Sequence, residues 1–180
     1  SRRQRQMCIR DRHYIYKLSG LPKNQVIGTG TAIDSARLQN MIAQTVNVDP
    51  RSVHAYSMGE HGDSQMVPWS TVTIAGKPFY DVIADNKELV GDVDLDELVY
   101  RTTQEGWEIF NRKGTTYYGI ATACVGVIKA ILNDENRIIP VSTLLEGEYG
   151  ERDVYAGVPT VLNRSGAYAV SYTHLRAHET

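Results

Sequence analysis

The segment MGEHGDSQ places His61 between an acid, Glu60, and a glycine, with a second acid, Asp63, two residues further on. A histidine in such a turn serves as a general acid or base, as a metal ligand, or as a polar loop residue. A zinc site needs three or four suitably spaced ligands, and only His54 adds to these, with no C-x-x-C or H-x-x-x-H motif around them. The sequence therefore predicts no metal site, and it leaves His61 either as a proton-transfer group or as a surface residue.

The segment DSAR holds a second candidate pair, because Asp34 and Arg37 are three residues apart and would share one face of a helix. On a protein surface the two would form an ion pair worth only about 0.3–0.5 kcal/mol. In a site, Asp34 would hold the Nδ1–H of a histidine, while Arg37 would present its planar fork to a carboxylate. The spacing alone does not decide between these interpretations.

The glycine-rich segment GTGTAI, residues 28–33, was compared with the dinucleotide-binding motif G-x-G-x-x-G. Its two glycines are correctly spaced, but Ile33 occupies the position of the third. No acidic residue follows about 20 positions later within a βαβ unit, as ribose binding requires. We therefore expect a tight turn here and no dinucleotide fold within this chain.

The composition favours one globular domain, or a large part of a protein, since 42% of the 180 residues are hydrophobic and 22% are charged. A formal net charge of −2 gives no reason to expect nucleic acid or an anionic membrane as a partner. Two cysteines, Cys8 and Cys124, imply no disulfide framework and favour a reducing compartment. The longest apolar stretch, Gly119–Ile128, is shorter than the roughly 20 residues of a membrane span, so we expect a soluble, cytoplasmic protein.

Periodicity and capping residues predict the elements that position these groups. HYIYKLSGLP predicts the end of a helix stopped by Gly20, and QVIGTGT predicts a short strand that runs into a turn. A helix is expected near 34–47, and SVHAYSMGEHG is expected to be a strand that delivers His61. STVTIAGKPFYDVI predicts a hairpin that turns at Gly76-Lys77-Pro78.

The second half of the chain predicts two helices followed by two strands. DLDELVYRTTQEGWEIFNRKG begins with acids and ends at Gly114, which favours a helix, and a second helix is expected over about 119–133. RIIPVSTLLEGEYG and DVYAGVPTVLNRSG predict antiparallel strands joined by EGEYGERD. Because strands and helices mix without regular βαβ alternation, we expect an α+β fold.

The two ends, SRRQRQMCIRDR (1–12) and VSYTHLRAHET (170–180), follow neither the helix period nor the strand period. Both resemble translated adapter sequence fused to a reading frame, so we expect the natural sequence to continue beyond them. Disordered termini are the alternative, and either interpretation predicts no regular structure there. We expect the domain itself to occupy residues 13–169.

Three separated motifs, VIGTGTAIDSAR, VHAYSMGEHGDSQ and KGTTYYGIA, closely resemble the C-terminal half of the L-lactate dehydrogenases, within the lactate/malate dehydrogenase superfamily. The resemblance runs from about residue 13 to residue 167 and includes YKLSGLPKNQVIG and DVYAGVPTVLNR. It implies the α+β catalytic domain of that family, without the Rossmann domain that precedes it in family members.

The resemblance implies catalytic roles at four matching positions. His61 matches the proton donor and acceptor, and Asp34 matches the carboxylate that orients it. Arg37 matches the guanidinium that grips the substrate carboxylate, and Thr116 the threonine beside the bound 2-oxo acid. Hydride addition to a ketone leaves an alkoxide, and an imidazole with an ordinary pKa near 6.5 can supply its proton around neutral pH.

The same resemblance implies NAD as cofactor, with Thr29 near the nicotinamide amide and Ile120 behind the ring. His54 matches a histidine that binds fructose 1,6-bisphosphate in many bacterial relatives, but Gln39 stands where they have an arginine. Because a neutral amide is a poor phosphate ligand, we expect weak or absent activation by the bisphosphate. Asp63 is expected to cap its own loop.

The resemblance favours pyruvate and (S)-lactate as substrates, because KGTTYYGIA and GEHGDSQ are closer to lactate-type than to malate-type members. The mobile lid, which supplies the carbonyl-polarising arginine and the residue that separates the two types, is absent from this sequence. Malate or another 2-hydroxy acid therefore stays open as a substrate, as does a noncatalytic module that binds a partner or a subunit. The family implies a homotetramer, and we expect the truncated chain to be inactive alone.

Overall fold

The structure, a computed structural model, describes residues 2–62 and 64–170, with side chains from residue 11 onward. The helices are α1 (Arg2–Ser19), α2 (Ala32–Thr45), α3 (Phe79–Asp85), α4 (Lys87–Val90), α5 (Leu95–Lys113) and α6 (Tyr117–Leu132). The strands are β1 (Val53–His54), β2 (Thr73–Ile74), β3 (Lys77–Pro78), β4 (Arg137–Glu146), β5 (Arg152–Asn163) and β6 (Gly166–Ala169). They form two antiparallel sheets, ordered β1-β2-β3 and β4-β5-β6, so the expected α+β fold is confirmed.

α2 is the central helix, because it packs against α5, α6, β1 and β4. Its Leu38 and Ile42 are fully buried in an apolar cluster that also contains Val72, which directly precedes β2, and Phe79 of α3. Burial of such side chains stabilises a fold by about 1.5–3 kcal/mol each. The helix that presents Asp34 is therefore anchored in the core by the turns that follow this residue.

The helix expected near 34–47 is confirmed, with both ends two residues earlier than predicted. It begins at Ala32, so Asp34 lies inside the first turn rather than at the cap. A carboxylate in the first turn interacts favourably with the positive end of the helix dipole. Thr31 precedes the helix and is fully buried.

The predicted helix α5 is confirmed, together with the acidic residues expected at its start and the glycine expected at its end. Oδ1 of Asp94 accepts a hydrogen bond from the backbone N–H of Glu97 at 3.0 Å, which caps the first turn. Gly114 follows the last turn with φ 73°, the left-handed conformation that closes a helix. Leu98 and Thr102 are buried where α5 packs against α2.

The large sheet contains the long antiparallel hairpin of β4 and β5 that the sequence predicts. A tight turn then leads to β6, which the sequence analysis did not separate from β5. α6, expected over about 119–133, packs on this sheet through Val127 and Ala130, which contact Val141 and Leu162. In the described part of the chain, none of the helices is both long and apolar enough for a bilayer crossing.

The expectation that the N-terminal segment lacks regular structure is wrong, because α1 runs without interruption from Arg2 to Ser19. Nucleating a helix is costly, but each added residue then extends it at little cost. The segment is rich in arginine and glutamine, which are good helix formers, so a helix formed by HYIYKLS extends through it. The helix ends before Gly20, as predicted. The expectations for residues 171–180 and for Asp63 lie outside the described residues.

Two predicted strands are largely replaced by irregular chain. In QVIGTGT only Gly28 pairs, through two backbone hydrogen bonds with Ser142 of 2.9 and 3.0 Å. The chain then turns at Gly30, whose φ of 52° suits glycine and ends the pairing. In SVHAYSMGEHG only β1 is a strand. Beyond it, Met58 and Gly59 each form one isolated β-bridge, with Met66 and Gly157 respectively.

The segment STVTIAGKPFYDVI forms the expected hairpin, but with a different turn and a different end. β2 and β3 pair around Ala75-Gly76, one residue before the predicted turn. The residues after Pro78 form helix α3 rather than a strand. Phe79, Val82 and Ile83 recur at a spacing of three and four, which is the helical period, and they pack against the core.

Gly157 in β5 is the point where the segment before His61 docks on the large sheet. Gly157 and Gly59 exchange two backbone hydrogen bonds of 2.7 Å. A Cβ at position 157 would lie 2.7 Å from Oγ1 of Thr31 and 3.1 Å from the carbonyl oxygen of Gly59. Because Thr31 is fully buried, we expect Gly157→Ala to lower the free energy of unfolding by about 1–3 kcal/mol in urea denaturation.

Gly126 in α6 provides the matched control for this substitution. A Cβ there would meet no atom within 4 Å, and alanine favours a helix over glycine by about 0.5–1 kcal/mol. Gly126→Ala should therefore leave stability unchanged or raise it. Equal urea midpoints for the two variants would contradict the close packing at Gly157.

Candidate active site

His61 and Asp34 lie together although 27 residues separate them in the sequence. Nδ1 of His61 is 2.5 Å from Oδ2 of Asp34. The Asp34 side chain is only 3% exposed, whereas that of His61 is 53% exposed. A buried carboxylate at Nδ1 fixes the orientation of the ring and leaves Nε2 as the nitrogen available to a ligand.

The turn that carries His61 is closed at its base by backbone pairing. Met58 and Met66 exchange hydrogen bonds of 2.8 and 3.0 Å, and Gly59 pairs with Gly157 of the large sheet. Two left-handed glycines, Gly59 with φ 89° and Gly62 with φ 147°, allow the tight course in between. Asp34, in the first turn of α2, contacts the ring of His61. The large sheet and α2 therefore together determine the position of His61.

Arg37 lies one helical turn after Asp34 and contacts the same carboxylate. Its Nη1 is 3.5 Å from Oδ1 of Asp34, and its side chain is 12% exposed. Asp34 therefore faces His61 with one oxygen and Arg37 with the other. The pair is buried and shared with His61, so it is not the surface ion pair that spacing left open for DSAR, and the binding of a carboxylate by Arg37 stays a prediction.

Thr116 and Arg37 both line a broad cavity of about 1110 Å³ between α2, α5 and α6. Thr116 is exposed and occupies the N-cap position of α6. His61 and Asp34 do not line this cavity, and Arg37 is the residue that connects it with the His61–Asp34 pair. The structure thus brings His61 and Arg37 into contact with Asp34 and places Thr116 in the wall of the cavity that Arg37 also lines.

The two predicted cofactor residues lie at the N-terminal ends of α2 and α6. Thr29 is half-buried in the turn before α2, where its carbonyl oxygen accepts the N–H of Ala32 at 3.0 Å. Ile120 is half-buried in the first turn of α6. The residue before it, Gly119, packs so closely on Ile33 that an added Cβ would lie 2.8 Å from Cδ1 of Ile33. A role of Thr29 and Ile120 in cofactor binding stays a prediction.

The two predicted effector residues also line the cavity, but one of them is engaged in the fold. Nε2 of Gln39 donates a hydrogen bond to the carbonyl oxygen of Ala55 at 3.0 Å. His54 is exposed on β1, where it is paired with Thr73 of β2. A role of this pair in effector binding stays a prediction.

A buried polar network, which the sequence analysis missed, ties the His61 turn to α2 and α5. Ser57 before the turn donates its hydroxyl to Oε1 of Gln65 after the turn at 2.6 Å. Nε2 of Gln65 donates to Oγ1 of Thr103 at 2.6 Å, and the N–H of Ser57 donates to Oγ of Ser35 at 2.9 Å. These partners are 8, 38 and 22 positions apart, so no local signal marks them as buried.

Glu105 is the second residue that the sequence analysis missed, and here a signal was available. Leu98 and Thr102 form the buried face of α5, and Glu105 follows at the next position of that face. An acid on an inward face requires a partner, since burying an unpaired charge is costly. Its partner is Arg37, whose Nε lies 4.0 Å from Oε2 of Glu105.

We expect Gln65→Leu to lower the free energy of unfolding by about 1–3 kcal/mol, because it leaves the buried hydroxyl of Ser57 without its acceptor and Thr103 without a donor. Leucine has a similar size, so the loss of hydrogen bonds is the main change. Urea denaturation measures the effect, with Gln44→Leu on the exposed side of α2 as control. Equal stabilities of the two variants would contradict the role of the network.

The chain is similar in sequence to a known family and to several characterised proteins. The family described as lactate/malate dehydrogenase, alpha/beta C-terminal domain, matches residues 31–180. L-lactate dehydrogenase 3 of Bacillus cereus is 51% identical over 167 residues, which are 93% of this chain and 53% of that protein. L-lactate dehydrogenase 1 of Bifidobacterium longum subsp. longum is 51% identical over 154 residues, which are 86% of this chain and 49% of that protein.

Solved structures agree with these sequence relatives. The minor L-lactate dehydrogenase from Enterococcus mundtii, in its ligands-bound form, has a TM-score of 0.87 at 40% identity, over 93% of this chain and 53% of that one. The chain thus spans about half the length of the curated relatives it matches. The resemblance to the C-terminal half of the L-lactate dehydrogenases is confirmed, and the chain belongs to the lactate/malate dehydrogenase family, of which it forms the α/β C-terminal domain.

Proposed function

We propose that these residues are the catalytic half of an NAD-dependent L-lactate dehydrogenase, which interconverts (S)-lactate and pyruvate in the cytoplasm. The observation that carries the proposal is the contact of His61 and Arg37 with the two oxygens of one buried carboxylate, Asp34. L-lactate dehydrogenase is also the printed name of relatives that are about half identical to this chain.

His61 is the proton donor in pyruvate reduction and the proton acceptor in lactate oxidation. Nδ1 of His61 is engaged by Asp34, so the proton moves at Nε2, toward or from the oxygen on the second carbon of the substrate. Asp34 keeps the ring in one orientation, with Nε2 free to face the substrate. Asp34 is almost fully buried, whereas His61 is half-exposed, so the ring is held from the protein side and is open to a ligand on the other.

Arg37 anchors the substrate carboxylate and thereby fixes the position of the keto group relative to His61. A guanidinium offers parallel N–H donors that match the two oxygens of a carboxylate. Two of its nitrogens face Asp34 and Glu105, so the guanidinium is held in place before the substrate arrives. Thr116, on the opposite wall of the cavity, lies beside the substrate.

NAD supplies the hydride acceptor and donor when it is bound. In this chain Thr29 would hold its carboxamide and Ile120 would back its ring, while the rest of the cofactor would bind to the half that these residues do not include. The intact enzyme is proposed to be a homotetramer, as in the L-lactate dehydrogenases that it resembles.

A chimera provides the test. In L-lactate dehydrogenase 3 of Bacillus cereus, the half that matches this chain is replaced by residues 13–169, and oxidation of NADH by pyruvate is followed by absorbance. We expect turnover by the chimera and none by the present chain alone. A chimera that is folded and binds NADH but does not reduce pyruvate would overturn the proposed function.

A further inference from the structure

Glu105 places a second carboxylate next to the guanidinium of Arg37. Its Oε2 lies 4.0 Å from Nε of Arg37, and both residues line the cavity together with Thr116. This oxygen is buried, yet it accepts a hydrogen bond from no residue in the described ranges. Arg37 is also the cation with which Glu105 forms an ion pair. The carboxylate is thus in the proposed substrate site and has hydrogen-bonding capacity left over.

Close neighbours restrict the movement of the Arg37 guanidinium away from Glu105. Gly106, the next residue of α5, lies directly against it, since a Cβ there would be 3.2 Å from Nη1 and 3.4 Å from Nη2. On the other side Asp34 lies 3.5 Å from Nη1. Arg37 is therefore confined between α2 and α5, and a substrate carboxylate that binds it must also lie close to Glu105.

The charges around Arg37 then distinguish between substrates. Asp34 contacts both Arg37 and His61, whereas Arg37 is the cation that Glu105 contacts among the described residues. A 2-oxo acid with one carboxylate adds one negative charge to this group. A dicarboxylic 2-oxo acid such as oxaloacetate adds two, and its short chain keeps the second charge near Glu105. Two carboxylates that lie close together in a partly buried site repel each other strongly. Glu105 should therefore weaken the binding of the dicarboxylic acid more than that of the monocarboxylic acid.

We infer that Glu105 is a specificity-determining residue, which disfavours 2-oxo acids with a second carboxylate and selects those with one. This inference rests on the proposed function and deepens it. It assigns to residues of this domain a substrate choice that the sequence analysis ascribed to the lid alone. Glu105 also offers an acceptor to a substrate that carries a hydroxyl or amide N–H on its third carbon.

Glu105→Gln in the chimera tests the inference, because glutamine retains the size of the side chain and removes its charge. The values of kcat/KM are measured for pyruvate, 2-oxobutyrate and oxaloacetate, where 2-oxobutyrate controls for substrate size. We expect the ratio of oxaloacetate to 2-oxobutyrate to rise about tenfold or more, and the ratio of 2-oxobutyrate to pyruvate to change by less than about threefold. A ratio of oxaloacetate to 2-oxobutyrate that stays within about twofold overturns the inference.

A binding measurement decides the question even if the chimera has no turnover. Oxamate and oxalate have nearly the same shape, but oxamate carries one negative charge and oxalate carries two. We expect Glu105→Gln to strengthen oxalate binding relative to oxamate binding by about tenfold in calorimetry. Equal changes for both ligands overturn the inference, whereas absence of turnover in the unmutated chimera bears on the proposed function only.

Glu108→Gln is the matched control on the same helix. Glu108 is exposed, forms an ion pair with Arg112, and does not line the cavity. Its substitution removes the same charge from α5 and should leave both ratios unchanged. A shift of the same size in the control would show a general effect of net charge and would overturn a specific role of Glu105. Glu105→Ala, as a second variant, should shift the ratios in the same direction as glutamine.

Discussion

His61→Gln in the chimera is expected to lower kcat for pyruvate reduction by about 10²–10⁴-fold, the usual contribution of a positioned acid or base. The amide cannot supply a proton to the developing alkoxide, although it retains a polar group next to Asp34. Since His61 is not among the residues proposed to hold the cofactor, NADH binding should be unchanged. Steady-state kinetics and fluorescence titration with NADH measure the two effects separately.

His13→Gln is the matched control, because Nδ1 of His13 also faces a carboxylate, that of Asp153 at 3.9 Å, and His13 does not line the cavity. Its kcat should be that of the unmutated chimera. If His61→Gln keeps kcat within about tenfold of the unmutated value, His61 is not the proton donor. If both histidine variants lose activity equally, the loss reflects the fold rather than the Asp34–His61 pair.

The sequence predicted those parts of the fold whose signals are local. The acidic start and the glycine end of α5 are such signals, and Asp94 and Gly114 act as expected. Strands were predicted less well, because the ends of a strand depend on pairing with residues that are distant in the sequence. QVIGTGT has the composition of a strand, but only Gly28 finds a partner in β4, and Gly30 turns the chain away. α3 was missed because its apolar residues fit both the alternation of a strand and the helical period.

The residues of the site likewise divide into those that sequence spacing can place together and those that only the folded chain brings together. Spacing placed Asp34 and Arg37 on one face of a helix, but it could not show that His61 would meet them. That expectation came from resemblance to a family, and the 2.5 Å contact between His61 and Asp34 agrees with it. Glu105 belonged to no recognised motif, and its role becomes visible only where α5 packs against α2.

Arg37→Lys in the chimera is expected to raise the KM for pyruvate by about 10²-fold, with a smaller fall in kcat. A single ammonium cannot reproduce the two parallel N–H donors that a carboxylate matches. It also cannot contact Asp34 and Glu105 while it binds the substrate, because these lie at two different nitrogens of the guanidinium. Initial rates over a range of pyruvate concentrations give both constants.

Arg51→Lys makes the same chemical change at a site with equally well-defined geometry. Arg51 donates from Nε and Nη2 to the two oxygens of Asp49, each at 2.9 Å, and these hydrogen bonds help to lower the pKa of Asp49 to about 2. This pair is exposed, so its loss should affect neither kinetic constant. An unchanged KM in Arg37→Lys would remove Arg37 from substrate binding. It would also remove the premise of the inference about Glu105, because both residues are proposed to act on the same carboxylate.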